Sequence, residues 1–188
     1  MFTEYLNILN KISPLSSESK LLLLDYLAIK KIKKGDYILE HNKICKHIYF
    51  VNEGFVRIFY YKNGKDITEW FSNKNQFFFS ITSYFDEIPS NLIIEASEDS
   101  EIIFLSKKGL GKLMKSNLEI ANLFIELLSG SLIFSQKRIE SIQFETAKQR
   151  YFNLIKVQPA ILNKMSLQHI SSFLGITQET LSRIRSNI

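Results

Sequence analysis

Apolar positions along the first 31 residues recur at helical spacing, first as Tyr5, Ile8, Leu9 and Ile12. Pro14 interrupts the run, and Ser16 or Ser17 can open a second helix through Leu21, Leu24 and Leu27. The period changes after Lys34. Gly35-Asp36, Asn52-Glu53-Gly54 and Lys62-Asn63-Gly64-Lys65 are turn signals, and β-rich runs lie between them: Tyr37 to Leu39, His47 to Val51, Phe55 to Tyr61 and Asp66 to Phe71. Leu92 to Ala96 and Ile102 to Leu105 add two more. Short strands at this spacing predict a compact antiparallel barrel or jelly roll, a shape that can enclose a small ligand.

Helical spacing returns after Ser106. From about Asn117 to Ile142 the chain predicts one long helix, on which Ile120, Phe124, Leu127, Leu128, Phe134, Ile139 and Ile142 make an apolar surface wider than one barrel face needs. Part of it is expected to meet a second copy in a two-fold dimer, although Ser129, Gly130 and Ser131 interrupt the seam and no strict heptad is maintained. Phe144 to Thr146 reads as a hinge, followed by a helix from Ala147 to Val157 that Pro159 stops.

The most informative segment is Ser166 to Arg185. Leu167, Ile170 and Phe173 recur at helical spacing, Leu174-Gly175-Ile176 supplies a tight turn, and Thr177 can cap a second helix with Leu181 and Ile184 inward. That pattern is a helix-turn-helix. Its outward side chains are Gln178, Glu179, Ser182, Arg183 and Arg185. Gln pairs with adenine, Glu accepts from cytosine, and Arg is bidentate to guanine, so this face is suited to a major groove.

Charge sharpens the contrast between the two parts. Residues 1–136 carry 16 basic and 16 acidic side chains, whereas residues 137–188 carry 8 basic and 3 acidic, so the net charge of +5 lies in the last quarter. Lys137, Arg138, Lys148, Arg150, Lys156, Lys164, Arg183 and Arg185 form an excess suited to phosphates. A composition of 45% hydrophobic and 23% charged residues is ordinary for a globular chain. The single cysteine, Cys45, excludes an internal disulfide and a multi-thiolate cluster, and is expected to be quiet and partly buried. His41, Cys45 and His47 are too sparse for a metal site, and no cofactor is expected. The longest near-apolar run, Ile120 to Leu128, contains Asn122 and Glu126 and is too short to span a bilayer; the expected location is the cytoplasm, with no membrane partner.

A neutral barrel with N-terminal helices, a long helix and a basic helix-turn-helix together resemble the Crp/Fnr family of bacterial transcription regulators. The likeness runs from Gly35-Asp36 through Asn52-Glu53-Gly54 to Ile176-Thr177-Gln178-Glu179-Thr180-Leu181-Ser182-Arg183. The last stretch is its most specific part, and the resemblance puts Gln178, Glu179 and Arg183 on the family's base-reading positions and Thr180 at the phosphate backbone. The resemblance implies an α+β chain in three parts. Residues 1–116 would form a cyclic-nucleotide-binding-like sensor barrel, 117–143 the dimerisation helix and hinge, and 144–188 a DNA-binding unit lacking an extended wing. It also implies a homodimer, a near-palindromic site on double-stranded DNA, and RNA polymerase as a partner.

The nucleotide site departs from the family's pattern. Members that bind cyclic AMP carry Phe-x-Gly-Glu and, after a short helix, an Arg-Ser/Thr pair, because a cyclic phosphate needs backbone donors, a helix N-terminus and an arginine. The run from Phe77 to Ala96 puts Phe79 at the Gly, Ser80 at the Glu, Ser90 at the Arg and Asn91 at the Ser. Every anchor is replaced, so the expected regulator does not depend on cyclic AMP. Phe79, Ser80, Ser90 and Asn91 are the candidate pocket for another effector of unknown identity; the competing expectation is that Phe77, Phe78, Phe79, Tyr84 and Phe85 simply fill the core.

A different class of function is a ligand-binding or scaffold module whose C-terminal helices make protein contacts. An enzyme is not expected: the chain has no Gly-rich phosphate loop, no Gly-x-Ser-x-Gly and no His-Glu-x-x-His, and the acidic pairs Asp86-Glu87 and Glu98-Asp99 sit beside turn-like residues.

Overall fold

The computed structural model describes residues 2–186; Asn187 and Ile188, the end of the expected C-terminal unit, lie outside the described residues. Two helices, α1 (Thr3–Ile12) and α2 (Ser17–Leu24), precede β1 (Leu27–Ile32). The strands β2 (Tyr37–Leu39), β3 (His47–Glu53), β4 (Phe55–Lys62), β5 (Lys65–Asn73) and β6 (Phe77–Phe78) follow. A short helix, α3 (Ile81–Asp86), leads to β7 (Ile93–Ala96) and β8 (Ser100–Ser106), and α4 (Lys107–Leu113) leads to the long α5 (Leu118–Phe144). The chain closes with α6 (Ala147–Val157), α7 (Ile161–Lys164), α8 (Leu167–Leu174) and α9 (Gln178–Ser186).

The strands form two four-stranded sheets, ordered β1-β8-β3-β6 and β2-β7-β4-β5, with every pair antiparallel. Alternation along β3 turns neighbouring side chains to opposite faces of its sheet, within one continuous core. Tyr49 meets its cross-strand partners Phe78 and Phe104 at 5.3 Å and 5.1 Å on one face of its sheet, while Phe50 points the other way and meets Tyr5 of α1 at 5.1 Å. The same rule splits β4. Val56 and Ile58 join the core that contains Tyr49, and Phe55 faces out into a second core shared with the C-terminal helices.

The predicted α+β jelly roll is present, with three local differences. Leu27 does not extend the second helix; Ser16 caps α2, Asp25 ends it, and Leu27 begins an edge strand paired to β8. The β-branched Ile29 and Ile32 favour that strand, but the adjacent Lys30 and Lys31 break the alternation that would show it. Phe77–Phe78 pairs with Tyr49 and Phe50, a two-residue strand too short to show a period. Cys45 is fully buried rather than partly so, and burial pushes its thiol pKa up.

Asn117 caps α5 by accepting from the Ile120 N–H, and the helix then runs 27 residues. Ile120, Leu123 and Phe124 are buried against the barrel, with Leu127 and Leu128 packed beside them. Other aliphatic residues are left open, at a regular spacing. Leu118, Ile125, Leu132 and Ile139 are 76%, 57%, 71% and 49% exposed and recur every seven residues. Ala121, Leu128, Ser135 and Ile142 follow each by three, so Ser129, Gly130 and Ser131 fall on the flanks of a continuous stripe. By length and composition the whole helix is also apolar enough to cross a bilayer, with a mean hydropathy of 1.5 over its best window, which the shorter run Ile120 to Leu128 had hidden. Glu119, Glu126, Lys137, Arg138 and Glu140 are distributed along it, and its exposed apolar surface is concentrated as a stripe.

Candidate nucleic-acid interface

Ser166 starts α8 by accepting from the His169 N–H, and Gly175 ends it in the left-handed region at φ 67°. The Gly175 and Ile176 amides return to the carbonyls of Ser172 and Ser171, which closes the turn. Thr177 accepts from the Thr180 N–H at 3.2 Å and so caps α9, as its position predicted. Leu181 is fully buried and Ile184 packs into the same core as Ile170, Phe173 and Leu174.

With Leu181 and Ile184 facing in, Gln178, Glu179, Ser182, Arg183 and Arg185 face out and are exposed. Thr180 is half-buried, and its hydroxyl lies 3.0 Å from that of Thr177, which ties it to the cap. The candidate base-reading residues therefore share one open surface. Arg183 and Arg185 also lie in the last turn, where the helix dipole favours cations.

Three of the eight basic residues counted toward phosphates are used elsewhere. Arg138 of α5 donates to the Phe173 carbonyl and lies over the Phe173 ring. Arg150 of α6 donates to the Leu174 carbonyl at 3.0 Å and to the Glu145 carbonyl at 2.5 Å. Lys164 pairs with Glu98 of the barrel at 2.5 Å. These are positions where guanidinium or ammonium groups hold the helix-turn-helix in place, and sequence alone gave no sign of the carbonyls they satisfy. Lys137, Lys148, Lys156, Arg183 and Arg185 remain outside the ion pairs found among the described residues.

The expected hinge is also tied. Glu145 follows the last turn of α5 and receives the Ser141 hydroxyl at 2.5 Å on its carboxylate, while Thr146 and Gln149 form a reciprocal capping box at the start of α6.

The candidate effector pocket is drawn together only in part. Ser80 and Ser90 are buried and hydrogen-bonded to each other at 2.9 Å, and the Ser90 hydroxyl also donates to the Leu92 carbonyl at 3.0 Å. Phe79 packs edge-on to Tyr84 at 5.1 Å, and Tyr84 to Phe85 at 5.2 Å. Asn91 is exposed and takes no part in the hydrogen bonds of the serine pair. A crevice of about 350 Å³ lies elsewhere, between the Gly54-Phe55 turn and the segment from Val157 to Lys164. Among the described residues no group of three or more His, Cys, Asp or Glu side chains converges as a metal site; Cys45 and His47 touch only through the thiol and the His47 carbonyl.

Residues 29–117 match the cyclic nucleotide-binding domain. A cAMP-dependent protein kinase regulatory subunit from Debaryomyces hansenii is 24% identical over 120 residues, which are 64% of this chain and 26% of that protein. The chain thus spans about a quarter of the length of that curated relative. FixK2 from Bradyrhizobium japonicum superposes with a TM-score of 0.73 at 20% identity, over 86% of this chain and 83% of FixK2. The Thermus thermophilus catabolite activator protein gives 0.59 at 22% identity, over 96% and 85%. A regulator assigned to the crp/fnr family from Eubacterium rectale gives 0.70 at 22% identity, over 90% and 82%. Residues 29–117 are thus similar to the cyclic nucleotide-binding domain, and the chain as a whole shares the fold of these solved regulators.

Proposed function

We propose that this protein is a homodimeric, sequence-specific DNA-binding transcription regulator of the Crp/Fnr type that works without cyclic AMP. The observation that carries the reading is the face of α9. Gln178, Glu179, Ser182, Arg183 and Arg185 are exposed together while Leu181 anchors the helix from behind. Two such helices one DNA turn apart would read a near-palindromic site.

The dimer rests on the stripe of Leu118, Ile125, Leu132 and Ile139, because a heptad of exposed aliphatic residues is covered when an identical helix lies alongside. Residues 1–116 would then act as the barrel unit, 117–143 as the dimer helix and 144–188 as the reading unit. Independence from cyclic AMP is supported by Ser80 and Ser90, whose mutual hydrogen bond occupies the positions of the family's acidic and arginine anchors. The resembled proteins include named regulators, which favours a regulatory over an enzymatic role; a cytoplasmic location and RNA polymerase as a partner belong to the same proposal.

Fluorescence anisotropy on a labelled duplex tests the electrostatic part. The logarithm of affinity should fall linearly with the logarithm of salt concentration as counterions are released. A flat salt response would favour the scaffold reading instead. Glu179 is the residue that favours that second reading, since a carboxylate repels phosphate unless it reaches a base.

A further inference from the structure

The helix-turn-helix rests on the barrel rather than standing free of it. Ser172 of α8 accepts from the Thr68 N–H of β5 at 2.7 Å. Beside it the Phe173 ring lies 5.2 Å from Phe71 and 6.0 Å from Trp70, and Phe55 and Phe71 complete one apolar core with Tyr151, Leu154, Ile161 and Ile170. From the other side Arg138 of the long helix grips the Phe173 carbonyl and ring, and Lys164 reaches Glu98. Strand β5 and helix α5 thus hold α8 from two sides, α7 is tied to the barrel through Lys164, and the outward face of α9 stays open throughout.

Beneath this contact lies a buried ion pair. The Arg57 side chain is 3% exposed and donates to Asp66 at 3.1 Å, and the His169 Nε2 is 3.8 Å from the same Asp66 oxygen. Arg57 Nε and Nη1, Asp66 Oδ1 and Thr68 Oγ1 are buried without a partner. Desolvation offsets most of the attraction in such a pair, so its main contribution is to register: sliding α8 along β5 would separate His169 from Asp66 and Ser172 from Thr68.

We propose that the outer face of β4 and β5 is a docking platform that sets the position of the DNA-reading helix by itself, so that the docked arrangement is the DNA-binding one and needs no effector to form it. Arg138, Thr68, Ser172 and Phe173 are then positioning residues. The proposal rests on the reading of α9 as a DNA-binding helix. It goes further in assigning to protein contacts the work that a bound ligand would otherwise do.

The test is a bridge across the platform, Thr68→Cys with Ser172→Cys, closed by oxidation or by a short bis-thiol reagent, with buried Cys45 left as the one free thiol. The bridged full-length protein should bind its selected duplex within about twofold of the reduced protein. A loss of about tenfold or more that reductant reverses would overturn the proposal, as would failure of both bridges to close. If neither wild type nor reduced protein binds DNA, the DNA-binding reading itself fails, and the platform proposal with it. Arg138→Ala supplies the second readout. It should widen the range of half-site spacings accepted, Arg138→Lys should restore part of the selectivity, and an unchanged spacing preference in Arg138→Ala would contradict the positioning role.

Discussion

The guanidinium of Arg138 lies 4.0 Å from the centre of the Phe173 ring and donates to the Phe173 carbonyl. Arg138 belongs to the helix that carries the exposed heptad, and Phe173 ends the first helix of the helix-turn-helix. One side chain therefore joins the expected dimer seam to the expected reading unit. A cation over an aromatic face contributes about 0.5–2 kcal/mol, more where it is desolvated. Burial pulls the Arg138 pKa down, and neighbouring Arg150 adds to that, while Glu69 opposes it.

Arg183→Ala removes an exposed side chain from α9. It should cost roughly 1–3 kcal/mol of DNA affinity and relax preference at one base position, measured by competition among single-base variants of the site. An equal loss on every sequence would assign Arg183 to phosphate.

Leu132→Lys places a charge in the middle of the heptad stripe, at a residue 71% exposed in the single chain. Burying a leucine in a dimer contributes about 1.5–3 kcal/mol, and two ammonium groups facing across a two-fold axis remove that and repel. Sedimentation should show a monomer with unchanged thermal stability of the barrel. A variant that remains dimeric would move the interface away from this stripe.

Gly54 turns β3 into β4 at φ 105°, and a Cβ there would stand 2.1 Å from Ser100 Oγ and 2.7 Å from its Cα. Gly54→Ala should destabilise the fold by roughly 1–3 kcal/mol or more, because the strained backbone and the clash act together. Thermal unfolding checks it; Gly64→Ala, with open space at its Cβ and φ 74°, isolates the backbone contribution.

His169 and His47 both have pKa values below the ordinary 6.5, through burial first and nearby cations second. For His169 the cation is Arg57, while Asp66 opposes it. A lowered histidine pKa means that the unfolded chain binds more protons, so the stability they contribute is complete above pH 6.5 and is lost as pH falls through the depressed values. Thermal melts between pH 7.5 and 5.5 should show this decline, and His169→Gln with His47→Gln should flatten it. An unchanged slope in the double variant would place the acid sensitivity elsewhere.

Much of this was legible in the chain because local signals and tertiary packing agree. Gly175 fits a left-handed turn, Thr177 caps α9, and the β-rich run His47 to Val51 between turn signals forms β3. What could not be read was the use of surfaces by distant partners. The run Phe55 to Phe59 is buried on both faces because the helix-turn-helix covers the outer one, which an isolated antiparallel strand does not announce. Arg138, Arg150 and Lys164 look like phosphate ligands by charge, and only the fold shows the carbonyls and carboxylate that take them. The heptad was present in Leu118, Ile125, Leu132 and Ile139 but was hidden among Ile120, Phe124 and Phe134, which face the chain's own barrel or its edge.

Selection of bound sequences from a random duplex library at near-physiological salt tests the central claim most directly, with wild type beside a variant carrying Gln178→Ala, Glu179→Ala and Arg183→Ala. The account predicts a two-fold-symmetric motif with half-sites about one DNA turn apart, recovered without added nucleotide and lost by the variant. No enrichment by the wild-type protein at either physiological or low salt would contradict it.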